Sequence, residues 1–135
     1  MLMQLTPEEQ KNLDNIAIEA LVLFGSRAQG FSHAASDFDF GVLLTRNPTP
    51  QQRHELYDAL YDLLSSKIRQ FVDIDIVFLR DAPMELQSHA AAHGILLYER
   101  NANVFARFRG QVMERYADFA PLREVFHQAI LSRIP

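Results

Sequence analysis

The chain has 135 residues, of which 48% are hydrophobic and 22% charged, the proportions of an ordinary globular protein able to bury a core without staples. It has no cysteine, which excludes disulfides, thiolate metal sites and cysteine nucleophiles. Its formal charge of −4 is uneven: residues 1–99 carry 7 Lys/Arg against 14 Asp/Glu, whereas residues 100–135 carry 6 Arg against 3 acids. An acidic body favours metal-chelated substrates over bare nucleic acid, and an Arg-bearing tail suits an acidic partner.

In chain order, the apolar stretch Met1 to Leu5 lacks the basic n-region and length of a signal peptide. No segment reaches the length of a membrane span, so a cytoplasmic protein without membrane contact is expected. Thr6-Pro7-Glu8-Glu9 reads as a helix start, with Thr6 as N-cap, Pro7 at N1 and Glu9 closing a capping box. Ala20 to Phe24 is a buried strand ended by Gly25. Ser26 to Ala35 is a turn region with room for a single helical turn at Ser26 to Gln29. Asp37 to Leu44 is a second strand, and Arg46 to Pro50, with two prolines, is a connecting loop.

Gln51 to Gln70 places Leu56, Leu60, Leu63, Leu64 and Ile68 on one stripe of a long helix. Val72 to Leu79 is a third strand. Pro83 opens a helix to about Ala92, and Ile95 to Tyr98 is a fourth strand. Asn101 to Tyr116 and Pro121 to Ile134 read as two further helices. Strands alternating with helices predict an α/β or α+β sandwich around a small sheet, in one domain spanning residues 1–135. Its core covers about 20–100 and its helical extension about 101–135.

Three features carry chemistry. Gly25-Ser26 ends a buried strand and begins a turn, where glycine allows close backbone approach and exposed amides favour phosphate. Asp37-Phe38-Asp39 puts two carboxylates on one strand face, roughly 6–7 Å apart, with Phe38 and Phe40 turned into the core. Like charges so placed repel unless a cation sits between them. Such a pair can share two divalent ions about 3.5–4 Å apart, and magnesium suits an oxygen-only site. Asp73-Ile74-Asp75 repeats the pattern on the third strand, and either acid can complete the group.

The spacing is more specific than its parts. Phe24-Gly25-Ser26, ten residues, then Asp37-Phe38-Asp39-Phe40 resembles the signature of the polymerase β-like nucleotidyltransferases. Gly25-Ser26-Arg27-Ala28-Gln29-Gly30 with Ser36-Asp37-Phe38-Asp39 is similar to the minimal nucleotidyltransferase (MNT) group. So is the later text Val77-Phe78-Leu79, Ala82-Pro83 and Gly94 to Glu99. The resemblance covers about residues 20–100. It implies a small mixed sheet flanked by helices, with Asp37, Asp39 and Asp75 as catalytic and metal-binding residues. It also implies two magnesium ions, ATP as substrate, and Gly25, Ser26 and Arg27 as nucleotide-binding residues. The register ahead of Ala82-Pro83 favours Asp75, with Asp73 as runner-up. Gln29 departs from the family's usual Arg. MNT proteins of this kind are typically antitoxins that transfer AMP to a tyrosine of a HEPN-type ribonuclease toxin, so such a toxin is the implied partner. The Arg-bearing helices after residue 100 are the candidate docking surface.

Other residues fit bland roles better. His89 and His93 stand at i and i+4 but lack a third ligand, and read as surface or packing residues. His33 reads as a loop residue. Phe105, Phe108, Val112 and Tyr116 form a core or interface stripe, and Tyr57 and Tyr61 read as packing. No basic stripe with interleaved aromatics is present, so direct nucleic-acid binding is not expected. The rival functions are an antitoxin that masks its partner without catalysis, a nucleotidyltransferase acting on an aminoglycoside-type hydroxyl, and an α/β domain with chance acids.

Overall fold

The computed structural model describes residues 3–25, 38–45, 47–68 and 72–116. Helix α1 (Pro7–Asp14) begins at a capping box: the Glu9 amide donates to Thr6 Oγ1 at 3.1 Å and the Thr6 amide to Glu9 Oε1 at 2.8 Å. Lys67 Nζ donates to the same Glu9 oxygen at 2.9 Å, tying the start of α1 to the end of α2 (Pro50–Ile68). Burial opposes ionisation of Glu9, but bonds from the Thr6 backbone, Lys67 and the Thr6 hydroxyl outweigh it and hold the carboxyl below its usual range.

Strands β1 (Ile18–Phe24), β2 (Phe38–Leu44), β3 (Ile74–Phe78) and β4 (Ile95–Glu99) form one sheet in the order β3-β2-β1-β4. The β1 pairs with β2 and β4 are antiparallel, whereas β2 and β3 are parallel and joined through α2. Helix α3 (Met84–His93) links β3 to β4, and residues 104–116 form α4. This is the mixed sheet flanked by helices that the sequence predicts.

Side-chain alternation divides the core between the two faces of the sheet. On one face Leu21, Leu23, Phe38, Phe40, Val42 and Ile76 pack with Leu13 of α1 and Leu60 and Leu64 of α2. On the other, Ala20, Val22, Phe24 and Leu43 pack with Ala90 and Ala91 of α3 and Phe105, Phe108 and Val112 of α4. The predicted stripe of α2 is thus the buried one, and three of the four stripe residues of α4 are core. Tyr57 and Tyr61 stack on each other at 6.2 Å, with Tyr57 against the core and Tyr61 40% exposed.

Element ends differ from the sequence reading for local reasons. β1 starts at Ile18, because Glu19, which interrupts the apolar run, leaves the core for an ion pair with Arg80 at 3.2 Å. α2 starts at Pro50 rather than Gln51. Thr49 and Gln52 form a reciprocal cap at 3.0 and 3.1 Å, so Thr49-Pro50-Gln51-Gln52 repeats the start signal of α1. β3 stops at Phe78, where Leu79–Asp81 turns into a 3₁₀ segment and swings Leu79 over Gly41. A Cβ on Gly41 would lie 2.7 Å from Leu79 Cδ1, so the glycine makes room for that side chain. α4 begins after Asn103, whose φ of 70° is incompatible with a helix. The predicted turn at Ser26 to Gln29 and helix at Pro121 to Ile134 lie outside the described residues.

Tyr98 on β4 is buried and donates to Asp14 Oδ1 at 2.5 Å. Burial first, then the bond and charge of Asp14, push its hydroxyl up to about 12 from 10.0. The pair therefore contributes fully below pH 10 and its contribution is lost as pH rises through about 12. Tyr98→Phe is expected to cost about 1 kcal/mol at neutral pH. In urea melts the gap between variant and wild type should close as pH approaches 12.

Candidate active site

The end of β1 and the start of β2 lie together at one end of the sheet, because Phe24 pairs with Asp39. The chain leaves β1 through Gly25, whose φ is +74°, a left-handed conformation that L side chains adopt only at a cost. A second constraint acts on the same residue. A Cβ on Gly25 would sit 2.3 Å from Asp39 Oδ2, so the Asp39 carboxylate lies directly on the glycine backbone. Conformation and space both require glycine where the sequence expects a phosphate loop.

Asp39 is half-buried on β2, and its register partner on β3 is Asp75, which is exposed. Neighbouring strands run about 4.8 Å apart, so the two carboxylates stand side by side on the face that carries Phe24. Phe38 and Phe40 point to the opposite face, into the core, as expected. Asp73 is exposed and precedes β3; its carbonyl accepts the Phe38 amide at 2.9 Å. The parallel register therefore sets Asp75, not Asp73, opposite Asp39.

The structure thus brings Gly25, Asp39 and Asp75 together. Ser26, Arg27 and Asp37 lie outside the described residues. Among the described residues no three His, Asp or Glu side chains form a group able to hold a metal ion. The donors that are placed fit magnesium: both are carboxylates on register-paired positions of adjacent strands, and the absence of a side chain at Gly25 makes room for the Asp39 carboxylate.

The sequence reads His89 and His93 as surface or packing residues, and the structure packs His89 on Phe24 and leaves His93 exposed. The His89 ring meets Phe24 edge-on, with centroids 6.3 Å apart, and His93 lies one turn further along α3 at 5.2 Å. The i, i+4 spacing carried that signal, but only the sheet order reveals that it faces the carboxylate end. Elsewhere, a cavity of about 610 Å³ opens at the opposite end of the sheet, between Asp14, Gln52, Glu55 and Arg100. Asp14 there accepts from Tyr98, and Arg100 donates to the carbonyls of Ile16 and Ile18, so these two charged groups serve the fold.

Residues 9–103 match the family model described as polymerase beta, nucleotidyltransferase. The protein adenylyltransferase MntA of Aphanizomenon flos-aquae (strain 2012/KM1/D3) is 31% identical over 105 residues, covering 71% of this chain and 67% of that protein. The chain belongs to the polymerase β nucleotidyltransferase family. Among the solved structures that share its fold are these two. One is a toxin–antitoxin with AMP-PNP, with a TM-score of 0.70 and 23% identity over 92% of this chain and 94% of that one. The other is a tri-AMPylated Shewanella oneidensis HEPN toxin in complex with MNT antitoxin, with a TM-score of 0.64 and 21% identity over 89% of this chain and 88% of that one. Among the described residues no helix is long and apolar enough to cross a membrane.

Proposed function

We propose that this protein is an antitoxin that transfers AMP from ATP to a tyrosine of a HEPN-type ribonuclease toxin. The observation that carries the reading is the pairing of Asp39 with Asp75 above the Gly25 backbone. Residues 1–135 act as one unit in it, with the segment after residue 100 as the docking surface.

Gly25, Ser26 and Arg27 hold the β- and γ-phosphates, and Asp37, Asp39 and Asp75 are the oxygen ligands for magnesium. When bound, two such ions stabilise the attacking and leaving oxygens of an in-line displacement. Asp75, on the outer strand of the group, faces the incoming hydroxyl and takes up its proton. The tyrosine oxygen attacks the α-phosphorus, the bond from that phosphorus to the bridging oxygen breaks, and pyrophosphate carries away the negative charge. A tyrosyl–AMP phosphodiester remains on the acceptor.

Mass spectrometry of a HEPN partner co-expressed with each variant tests this reading. The expected result is AMP on a tyrosine with the wild type and with Asp73→Asn, and its loss with Asp75→Asn. Equal loss with Asp73→Asn would show that the strand register does not define the third ligand. An unmodified partner that still binds wild type and variants alike, and is silenced by them, would replace catalysis with masking.

A further inference from the structure

The sheet order sets the carboxylates and the glycine in a line. Across one end of the sheet stand Asp75 on β3, Asp39 on β2 and Gly25 after β1. The next element on the same face is the last turn of α3. Helix α3 returns to this end: Gly94 packs against Val22 so closely that a Cβ would lie 2.5 Å from Val22 Cγ1, and Ile95 pairs with Leu23. The last turn carries His93, which is exposed, and the turn before it carries His89, half-buried on the Phe24 ring. Phe24 is itself the register partner of Asp39. The two imidazoles therefore stand on the carboxylate face, across the glycine from Asp39.

We propose that His89 and His93 form the leaving-group end of the nucleotide site, donating N–H groups to the terminal phosphates of the triphosphate and to the departing pyrophosphate. This inference rests on the adenylyl-transfer reading, which it deepens. In that reading the acceptor enters beside Asp75. An in-line displacement expels the leaving group on the opposite side of the α-phosphorus, which is the side of β1 and α3.

Two observations call for donors there. The C-terminal carbonyls of α3 carry partial negative charge toward this end, which repels a polyphosphate. An imidazole in the last turn offers an N–H in either charge state, and its protonated form offsets that local polarity. Furthermore, Arg27 is the sole Lys or Arg between residues 25 and 45, a single cation for the whole loop and second strand. A histidine pair at i and i+4, with ring centroids 5.2 Å apart, can span adjacent phosphate groups.

The test compares binding of ATP, AMP and inorganic pyrophosphate by calorimetry, with KM and kcat for label transfer from ATP. For His89→Asn/His93→Asn the inference expects KM for ATP and Kd for pyrophosphate to rise about tenfold, which is about 1.4 kcal/mol, with AMP affinity unchanged. His93→Asn alone, at an exposed position, should give part of the effect without altering Tm. His93→Arg in the His89→Asn background should restore ATP affinity, which a packing role would not. Wild-type values for ATP and pyrophosphate in the double variant would overturn the inference and leave adenylyl transfer standing. Histidine-dependent pyrophosphate binding in a wild type that transfers no label would keep the phosphate site and remove the adenylyl-transfer reading. A wild type that binds no polyphosphate would remove both.

Discussion

Asp39→Asn is expected to lower AMP transfer by about 10³-fold or more while leaving the fold intact. The expected loss follows from the several kcal/mol of transition-state charge stabilisation that metal ligation contributes, at 1.36 kcal/mol per decade. Asparagine keeps the shape of aspartate but removes the anionic oxygen. Stability should move the other way. Asp39 and Asp75 are register partners on adjacent strands, and like charges directly opposite one another destabilise a sheet. Removing one charge should raise the metal-free Tm or leave it unchanged. Magnesium should raise the Tm of the wild type, since a ligand that binds the native state alone stabilises it, and should have little effect on the variant. A variant that is inactive because it unfolds would show the opposite, a lowered Tm without metal.

Gly25→Ala is expected to fail on two counts. Its φ of +74° costs an L residue about 1–2 kcal/mol. The added Cβ would also meet Asp39 Oδ2 at 2.3 Å, so the carboxylate must turn away from the position it shares with Asp75. A misplaced ligand costs about 10²-fold even when nothing else changes. The variant should therefore lose both stability and transfer, with ATP affinity reduced as the loop shifts. Gly110→Ala is the matched control. Gly110 lies inside α4, where an added methyl would meet nothing within 4 Å, so alanine should stabilise by about 0.5–1 kcal/mol and leave transfer unchanged. Equal behaviour of the two substitutions would show that the Gly25 geometry does not serve the site.

Much of this arrangement was legible in the residues because it rests on period and punctuation. Alternation in Asp37-Phe38-Asp39-Phe40 and Asp73-Ile74-Asp75-Ile76 already separates the acids from the core, and the structure buries Phe38, Phe40 and Ile76 accordingly. The capping box at Thr6 is local chemistry and reads directly. The same signal at Thr49 is hidden by Pro48 and Pro50, which look like loop breakers although Pro50 sits at the first helical position. Glu19 conceals the start of β1, because its partner Arg80 is distant in sequence.

What sequence period does not contain is register between strands. Asp73 and Asp75 lie on the same face by alternation, and only the parallel pairing of β2 with β3 sets Asp75 opposite Asp39. Strand order is likewise a tertiary property. The order β3-β2-β1-β4 places α3, and with it His89, beside the carboxylate end. The contact between Gly25 and Asp39 needs both the antiparallel register and the left-handed turn.

The most direct measurement subtracts the label found in cell lysate alone from that found when the protein is added, with magnesium and ATP labelled either at the α-phosphate or at the γ-phosphate. The account predicts label from the α-phosphate alone, on one discrete protein band, and none with Asp39→Asn. Transfer of the γ-label, or α-label that persists in the Asp39→Asn variant, would contradict it.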